Sequence, residues 1–230
     1  GAAGVVSVPA MAQTVPVPAK WDKTVDFLIV GTGFAGLGAA IEAHEQGIKN
    51  VLVIDKMPSI GGNSIISGAV AAAGTDMQKA AGIKDSPDLL FKDIIKAGGG
   101  LAHPQLARHI ADNCVENYEW LKKVGVKFKA VTFHGGHSVP RSHAVTNNSG
   151  SGFINPMYKK CQEYGVPVQL RTIVDDLVVD DKGAVLGVKV RENYRFGREN
   201  SGKVAYYRAT KGVLLAAGGF SQNVQMRMNH

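Results

Sequence analysis

Val25-Asp26-Phe27-Leu28-Ile29-Val30 is a nearly continuous apolar run, and Gly31-Thr32-Gly33-Phe34-Ala35-Gly36 follows it without a break. Such a run suits a strand covered on both faces. Ala35 to Gln46 then carries Leu37, Ala40 and Ile41 at helical spacing and closes on Gly47, a C-terminal stop. Val51-Leu52-Val53-Ile54 restarts a buried strand that ends on Asp55. Strand, glycine turn, helix and strand make a βαβ unit, which needs a right-handed crossover into a parallel sheet.

The glycine turn reads as a phosphate cradle. The first glycine permits the tight turn, the second admits a pyrophosphate close to the backbone, and the third lets the helix pack on the strand. Free N–H groups and the positive end of the helix dipole then face an anion. Asp55, nineteen residues beyond Gly36, stands where a carboxylate accepts from ribose hydroxyls, so the unit predicts a dinucleotide site. The next stretch, Lys56 to Ala69, chooses the dinucleotide. Gly61-Gly62-Asn63 follows six to eight residues after the acid, where an NAD domain would proceed into another βα step. Glycines there let the chain pass tightly along an extended cofactor, and Ser64, Ser67, Gly68 and Ala69 are small enough to line a flat ring system, which favours FAD.

A chain of 230 residues with 45% apolar and 20% charged content suits a globular protein with one substantial core or two small ones. The net charge of +7 does not read as a polyanion surface, because the Lys and Arg concentrations are interrupted by acids, glycines and tyrosines. An anionic substrate or an acidic electron-transfer partner fits that charge better, and no nucleic acid is expected. Cys114 and Cys161 lie among apolar residues on helix-like patterns and read as buried free thiols. The chain has no Cys-x-x-Cys-His for a c-type haem and no clustered Cys/His spacing for zinc. Residues 1 to 20 have a small, apolar start, an Ala10-Met11-Ala12 triplet and a Pro/Val-rich stretch after Gln13, like the second half of an export signal followed by an extended tail. No apolar run reaches the roughly 18 residues that span a bilayer.

The rest of the chain supplies helices and then strands. Ser86-Pro87-Asp88 caps a helix that runs to Gly98-Gly99-Gly100, and Pro104 to Val124 forms a longer one stopped by Gly125. Leu106, Ile110, Cys114, Tyr118 and Leu121 are expected on its buried stripe. Val168 to Asp180 and Val185 to Val190 flank an Asp-Asp-Lys-Gly hairpin signal, Val204 to Ala209 gives a third short strand, and Gly212 to Gly219 reads as a further buried strand. The expectation is an α/β fold with a small antiparallel β-meander between parallel strands.

Together, "DFLIVGTGFAGLGAAIEA", "VIDKMPSIGGNSIISGA", "TDMQKA", "GGHSVPRSH" and "VLLAAGGF" resemble the FAD-binding domain of the soluble fumarate reductase family, which includes flavocytochrome c and urocanate reductase. The resemblance covers roughly residues 22 to 224. It implies a Rossmann-like domain of the glutathione-reductase type over residues 21 to 230, cut before the capping domain. It also implies that Gly31, Gly33, Phe34, Ala35 and Gly36 cradle the pyrophosphate, while Asp55 and Lys56 stand at the adenosine ribose. Gly62, Asn63, Ser64, Ser67, Gly68 and Ala69 would run beside the ribityl chain and isoalloxazine, with Val174 at the adenine end and Ala216, Ala217 and Gly218 closing over the cofactor. The family often has threonine where Ala217 stands. No histidine lies between Asn63 and Gly74, where relatives of the succinate dehydrogenase type tether FAD, so the expected FAD is non-covalent.

His134, His137, Arg141 and His143 are clustered among glycines and serines, which reads as a loop at the mouth of a site. With Gly68, three of them, His137, Arg141 and His143, are the substrate-side expectations. No catalytic acid is assigned, because the family supplies it from segments that would follow Gly219. The implied activity is hydride transfer from flavin N5 to the C=C bond of a small unsaturated carboxylate in an exported, periplasmic protein. A separate c-type cytochrome or other donor would supply electrons, and either the chain is a fragment of a longer flavoprotein or a second polypeptide completes the fold. A related ketosteroid or amino-acid dehydrogenase or oxidase, and a non-catalytic FAD-binding half, are the alternatives.

Overall fold

The computed structural model describes residues 14–229. The reading of Ala10-Met11-Ala12 as a cleavage site falls outside the described residues.

Strand β1 (Thr14–Val15) lies in the stretch read as tail, yet it joins the main sheet. Strand β2 (Lys23–Val30), helix α1 (Phe34–Glu45) and strand β3 (Val51–Ile54) form the expected βαβ unit, with β2 and β3 parallel and Phe27 to Val30 paired with Val51 to Ile54. A short 3-10 helix (Gly62–Ile66) leads into strand β4 (Ala69–Ala71) and helix α2 (Asp76–Ala80). Helices α3 (Pro87–Ala97) and α4 (Pro104–Val124) follow, then strands β5 (Phe128–Thr132) and β6 (Ser142–Val145), and helix α5 (Ser151–Glu163). Strands β7 (Val168–Gln169), β8 (Thr172–Val179), β9 (Val185–Glu192) and β10 (Lys203–Leu215) precede helix α6 (Val224–Asn229).

The main sheet has the order β1-β8-β9-β10-β2-β3-β7, and β4, β6 and β5 form a second, antiparallel sheet. Strands β8, β9 and β10 are the antiparallel meander, while β10, β2, β3 and β7 run parallel. The alternation along β2 and β3 explains why both read as fully apolar. Ile29 and Val53 face α1 and α5, packing with Leu37, Ile41, Ile154, Met157 and Cys161. Leu28 and Ile54 face the other way, against Val188, Val190 and Tyr207 of the meander. A third cluster, with Leu90, Ala111, Cys114 and Tyr118, lies between α3, α4 and the small sheet.

Four expectations are corrected. The strand expected from Val168 to Asp180 breaks at Arg171, whose φ of 52° kinks the chain, so β7 stays in the parallel sheet and β8 starts the meander. The two strands expected at 204–209 and 212–219 are one, β10, because a bulge between Ala209 and Gly212 preserves pairing with β2. The second half of β10 is half-buried rather than core, and Leu215 is 58% exposed. On α4 the stripe is turned by one residue at its N-terminal end. Ala107 and Ala111 are buried where α3 packs, whereas Leu106 and Ile110 are 62% and 58% exposed. Periodicity favours the larger apolar residue, but a closely packed helix pair takes the smaller one.

Leu121→Ala is expected to lower stability by about 2–5 kcal/mol, and Leu106→Ala to stay within about 0.5 kcal/mol, in urea titrations followed by circular dichroism.

Candidate functional site

The glycine turn, the end of β3 and the segment after β10 meet at the carboxyl ends of the parallel strands, the place where open α/β sheets hold ligands. Gly31 N–H donates to Ile54 O at 2.8 Å, and Ala216 N–H donates to Val30 O at 2.8 Å. Gly31 has φ 115°, and a Cβ there would lie 2.3 Å from Ala216 O. A Cβ on Gly36 would lie 1.9 Å from Gly31 O, so helix and turn approach as closely as backbones permit. Gly33 is different. The nearest atom to a Cβ there is Ser64 Oγ at 3.3 Å, so its glycine is not forced by a backbone contact and leaves the mouth of the turn open.

The first turn of α1 has N–H groups without intrahelical partners. Phe34 N–H donates to Ser64 Oγ at 3.0 Å, and among the described residues no protein acceptor takes those of Ala35 or Gly36. Two donors at a helix N-terminus beside a glycine whose side is open constitute an anion cradle, and the residues present fit a dinucleotide pyrophosphate.

Asp55 is 8% exposed. Its Oδ2 accepts from the Thr32 N–H at 2.8 Å and the Thr32 hydroxyl at 2.5 Å, and its Oδ1 accepts from Met57 N–H at 2.9 Å. The Thr32 hydroxyl also accepts from Gly61 N–H at 3.0 Å. Thr32 thus ties together three segments that were read separately: the glycine turn, the acid and the glycine pair. Sequence reasoning passed over it as the variable position of the motif. The available signal was a hydroxyl residue where glycine or alanine would leave the acid without a side-chain donor.

Lys56 is exposed just beyond Asp55. Gly62, Asn63 and Ser64 lie in the 3-10 helix, and Ser67, Gly68 and Ala69 lead into β4, half-buried or exposed. Gly150 was also passed over. A Cβ on it would lie 1.8 Å from Ser64 O, so the loop before α5 presses directly on the 3-10 helix. Val174 sits in β8 opposite Val190, half-buried, and Ala217 and Gly218 are exposed beyond β10.

The histidine and arginine segment is not an open loop throughout. Arg141 and His143 are 0% exposed, and His143 lies in β6. Arg141 forms a paired contact with Asp85, Nε to Oδ2 at 3.0 Å and Nη2 to Oδ1 at 2.9 Å, and its Nη1 is 2.9 Å from Asp93 Oδ2. Two buried carboxylates need that guanidinium, which is why it turns inward. His143 bonds through Nε2 to Thr75 Oγ1 at 2.7 Å and through Nδ1 to Arg141 O at 2.8 Å, between the rings of Tyr118 and Phe128. Strand β6 pairs with β4, Ala69 opposite Ala144 and Val70 opposite His143, and Val145 N–H donates to Gly68 O at 3.0 Å. The pair therefore braces Gly68 and Ala69 from behind. His137 remains half-buried on the exposed stretch before β6, with a buried Nδ1 that has no hydrogen-bond partner.

Burial holds His143 and His137 below the ordinary imidazole range, Arg141 adding to the effect at His137. Burial pushes the Asp93 carboxyl up, but Ser138 N–H and hydroxyl at 2.8 Å, with Arg141, outweigh it and hold the group below the usual carboxylate value. The unfolded chain titrates its histidines near about 6.5, so below that pH it binds more protons than the folded chain. Stability is therefore full above that value and lost as pH falls through it towards the lower folded values. Urea titrations at pH about 7 and about 5 should show this loss, and His143→Gln should flatten it. Thr32→Val, which strips a donor from Asp55 and an acceptor from Gly61, is expected to cost about 2 kcal/mol or more in the same measurement, while Thr32→Ser keeps most of the stability.

The family described as FAD binding domain matches residues 26–230. The chain is 43% identical over 233 residues to the acrylate reductase flavoprotein subunit of Shewanella woodyi, covering 99% of this chain and 46% of that protein. It is 36% identical over 203 residues to the fumarate reductase (cytochrome) of Shewanella frigidimarina, covering 87% of this chain and 34% of that protein. The open conformation of a flavocytochrome c3 fumarate reductase superposes with a TM-score of 0.82 at 32% identity, over 90% of this chain and 36% of that one. The 3-ketosteroid-delta4-(5alpha)-dehydrogenase of Rhodococcus jostii gives a TM-score of 0.84 at 27% identity, over 95% of this chain and 51% of that one. The chain thus spans about half the length, or less, of the curated relatives it matches. With a family match that runs from residue 26 to 230, the chain belongs to the FAD binding domain family.

Proposed function

We propose that the chain is the FAD-binding part of a reductase acting on the C=C bond of a small unsaturated carboxylate. The observation that carries this reading is the 43% identity, along nearly the whole chain, with an acrylate reductase flavoprotein subunit. FAD, when bound, supplies the electron pair from N5 of its ring; the chain's own residues orient it and exclude water. Ala35 and Gly36 N–H groups, with the α1 dipole behind them, hold the pyrophosphate beside Gly31, Gly33 and Phe34. Asp55 meets the ribose with the lone pairs left by Thr32 and Met57, and Lys56 flanks it. Gly62, Asn63, Ser64 and Ser67 would hold the ribityl chain, and Gly68 and Ala69 would line the ring. Val174 would back the adenine end, while Ala216, Ala217 and Gly218 would close the site.

Arg141 and His143 serve the substrate side through β4, by fixing Gly68 and Ala69, rather than by contact. His137, half-buried on the stretch before β6, is the member of that cluster left on the substrate side. On the same reading FAD is held without a covalent tether, the protein is exported to a periplasm, an acidic c-type cytochrome or similar donor is drawn by the +7 charge, and the rest of the site comes from further chain or from a second polypeptide. A fumarate reductase relative whose name includes a cytochrome supports the donor. No helix among the described residues is long and apolar enough to cross a membrane. The likeness to a ketosteroid dehydrogenase supports a second reading, oxidation of a steroid-like substrate on the same framework.

The test is anaerobic. The purified chain is expected to take up FAD without acid-stable attachment and, together with the segments that complete the site, to oxidise reduced viologen when acrylate, fumarate or urocanate is added. Dye reduction by a ketosteroid instead would establish the second reading, and a chain that takes up no flavin would overturn both.

A further inference from the structure

Phe196 is 63% exposed on the turn that joins β9 to β10. An exposed phenylalanine is ordinary by itself. This one is carried on a turn that closes on itself and is pinned at its base. Arg195 N–H donates to Ser201 Oγ at 2.8 Å, Arg198 N–H donates to Arg195 O at 2.9 Å, and Ser201 N–H donates to Arg198 O at 2.9 Å. At its base, Tyr194 N–H donates to Arg171 O at 2.8 Å, and Arg171 N–H donates in turn to Met57 O at 3.0 Å. Thr172 N–H donates to Asp55 O at 2.8 Å. The turn is therefore fastened to the two residues that flank Lys56 at the carboxyl end of β3.

Lys56 Nζ lies 5.7 Å from the centre of the Phe196 ring. The exposed ring thus stands beside the residue that follows the acid of the crevice, with Arg195 and Arg198 exposed on the same turn. A flat apolar ring, steadied on one side by a cation and set among positive charges, suits a purine attached to phosphate. In a doubly wound sheet that end of the crevice takes the adenosine half of a dinucleotide.

We propose that Phe196 forms the outer wall of the adenosine end of the FAD site, its ring against the adenine and Lys56 supporting it. The inference rests on the FAD reading and adds a cofactor contact contributed by the meander turn, which the glycine motifs do not include. Affinity is read by quenching of flavin fluorescence as the 230-residue chain is titrated into FAD, so no turnover is needed. Phe196→Ala is expected to raise the FAD Kd about tenfold or more, and Phe196→Tyr to stay within about twofold, since both rings stack. Exposure of the ring means that the unfolding midpoint of the cofactor-free chain should not move in either variant. An unchanged Kd in Phe196→Ala overturns the inference while leaving the FAD reading intact. Equal weakening in both variants also overturns it, because loss of a stacked ring would then not be the cause. A wild-type chain that binds no FAD overturns the two together.

Discussion

The buried carboxylate of Asp55 is the constraint on which the candidate site depends. A carboxylate at 8% exposure is costly unless donors surround it, and here Thr32 and Met57 provide them. Because Thr32 sits between the two glycines of the turn and its hydroxyl also takes the Gly61 N–H, one side chain sets the separation of three segments of the candidate site. The backbone bonds between Gly31 and Ile54 and between Ala216 and Val30 hold the same ends from below. The bonds that shape the cradle thus all lie within the chain.

A second buried charge system supports the other half of the site. Arg141, Asp85 and Asp93 would each be expensive alone in the interior, and together they offset one another's charge, with Gln78 and Ser138 donating to the carboxylates. Their consequence is mechanical. Gln78 binds Pro140 O at 2.8 Å and Gly74 N–H at 2.6 Å, so the strand carrying Gly68 and Ala69 is clamped at both ends to β6 and its lead-in. The glycines at 68 and 150 let the loop before α5 press on the same segment.

Much of the architecture was legible because its causes are local. Strands β2 and β3 read as buried from their own apolar runs, α3 from Ser86 and Pro87, and α4 from Pro104 and Gly125, since caps and stops act within a few residues. The errors arose where the deciding partner was remote. Leu106 and Ile110 fit a helical stripe, but α3 accepts Ala107 and Ala111 instead. The segment ending in Arg141-Ser142-His143 has the composition of a loop. It became a buried strand because Asp85 and Asp93, more than forty residues earlier, required a cation inside.

The sequence by itself determined the dinucleotide-binding βαβ unit, the identity of the turn glycines and the place of the acid, because close backbone approach admits only glycine and the strand period is written in neighbouring residues. Only the tertiary structure decided that Thr32 joins the turn to the glycine pair, that Arg141 and His143 brace β4 from within, and that the turn bearing Phe196 reaches Lys56. Those outcomes depend on groups 29, 56 and 140 positions apart finding one another, and no local pattern encodes such distances.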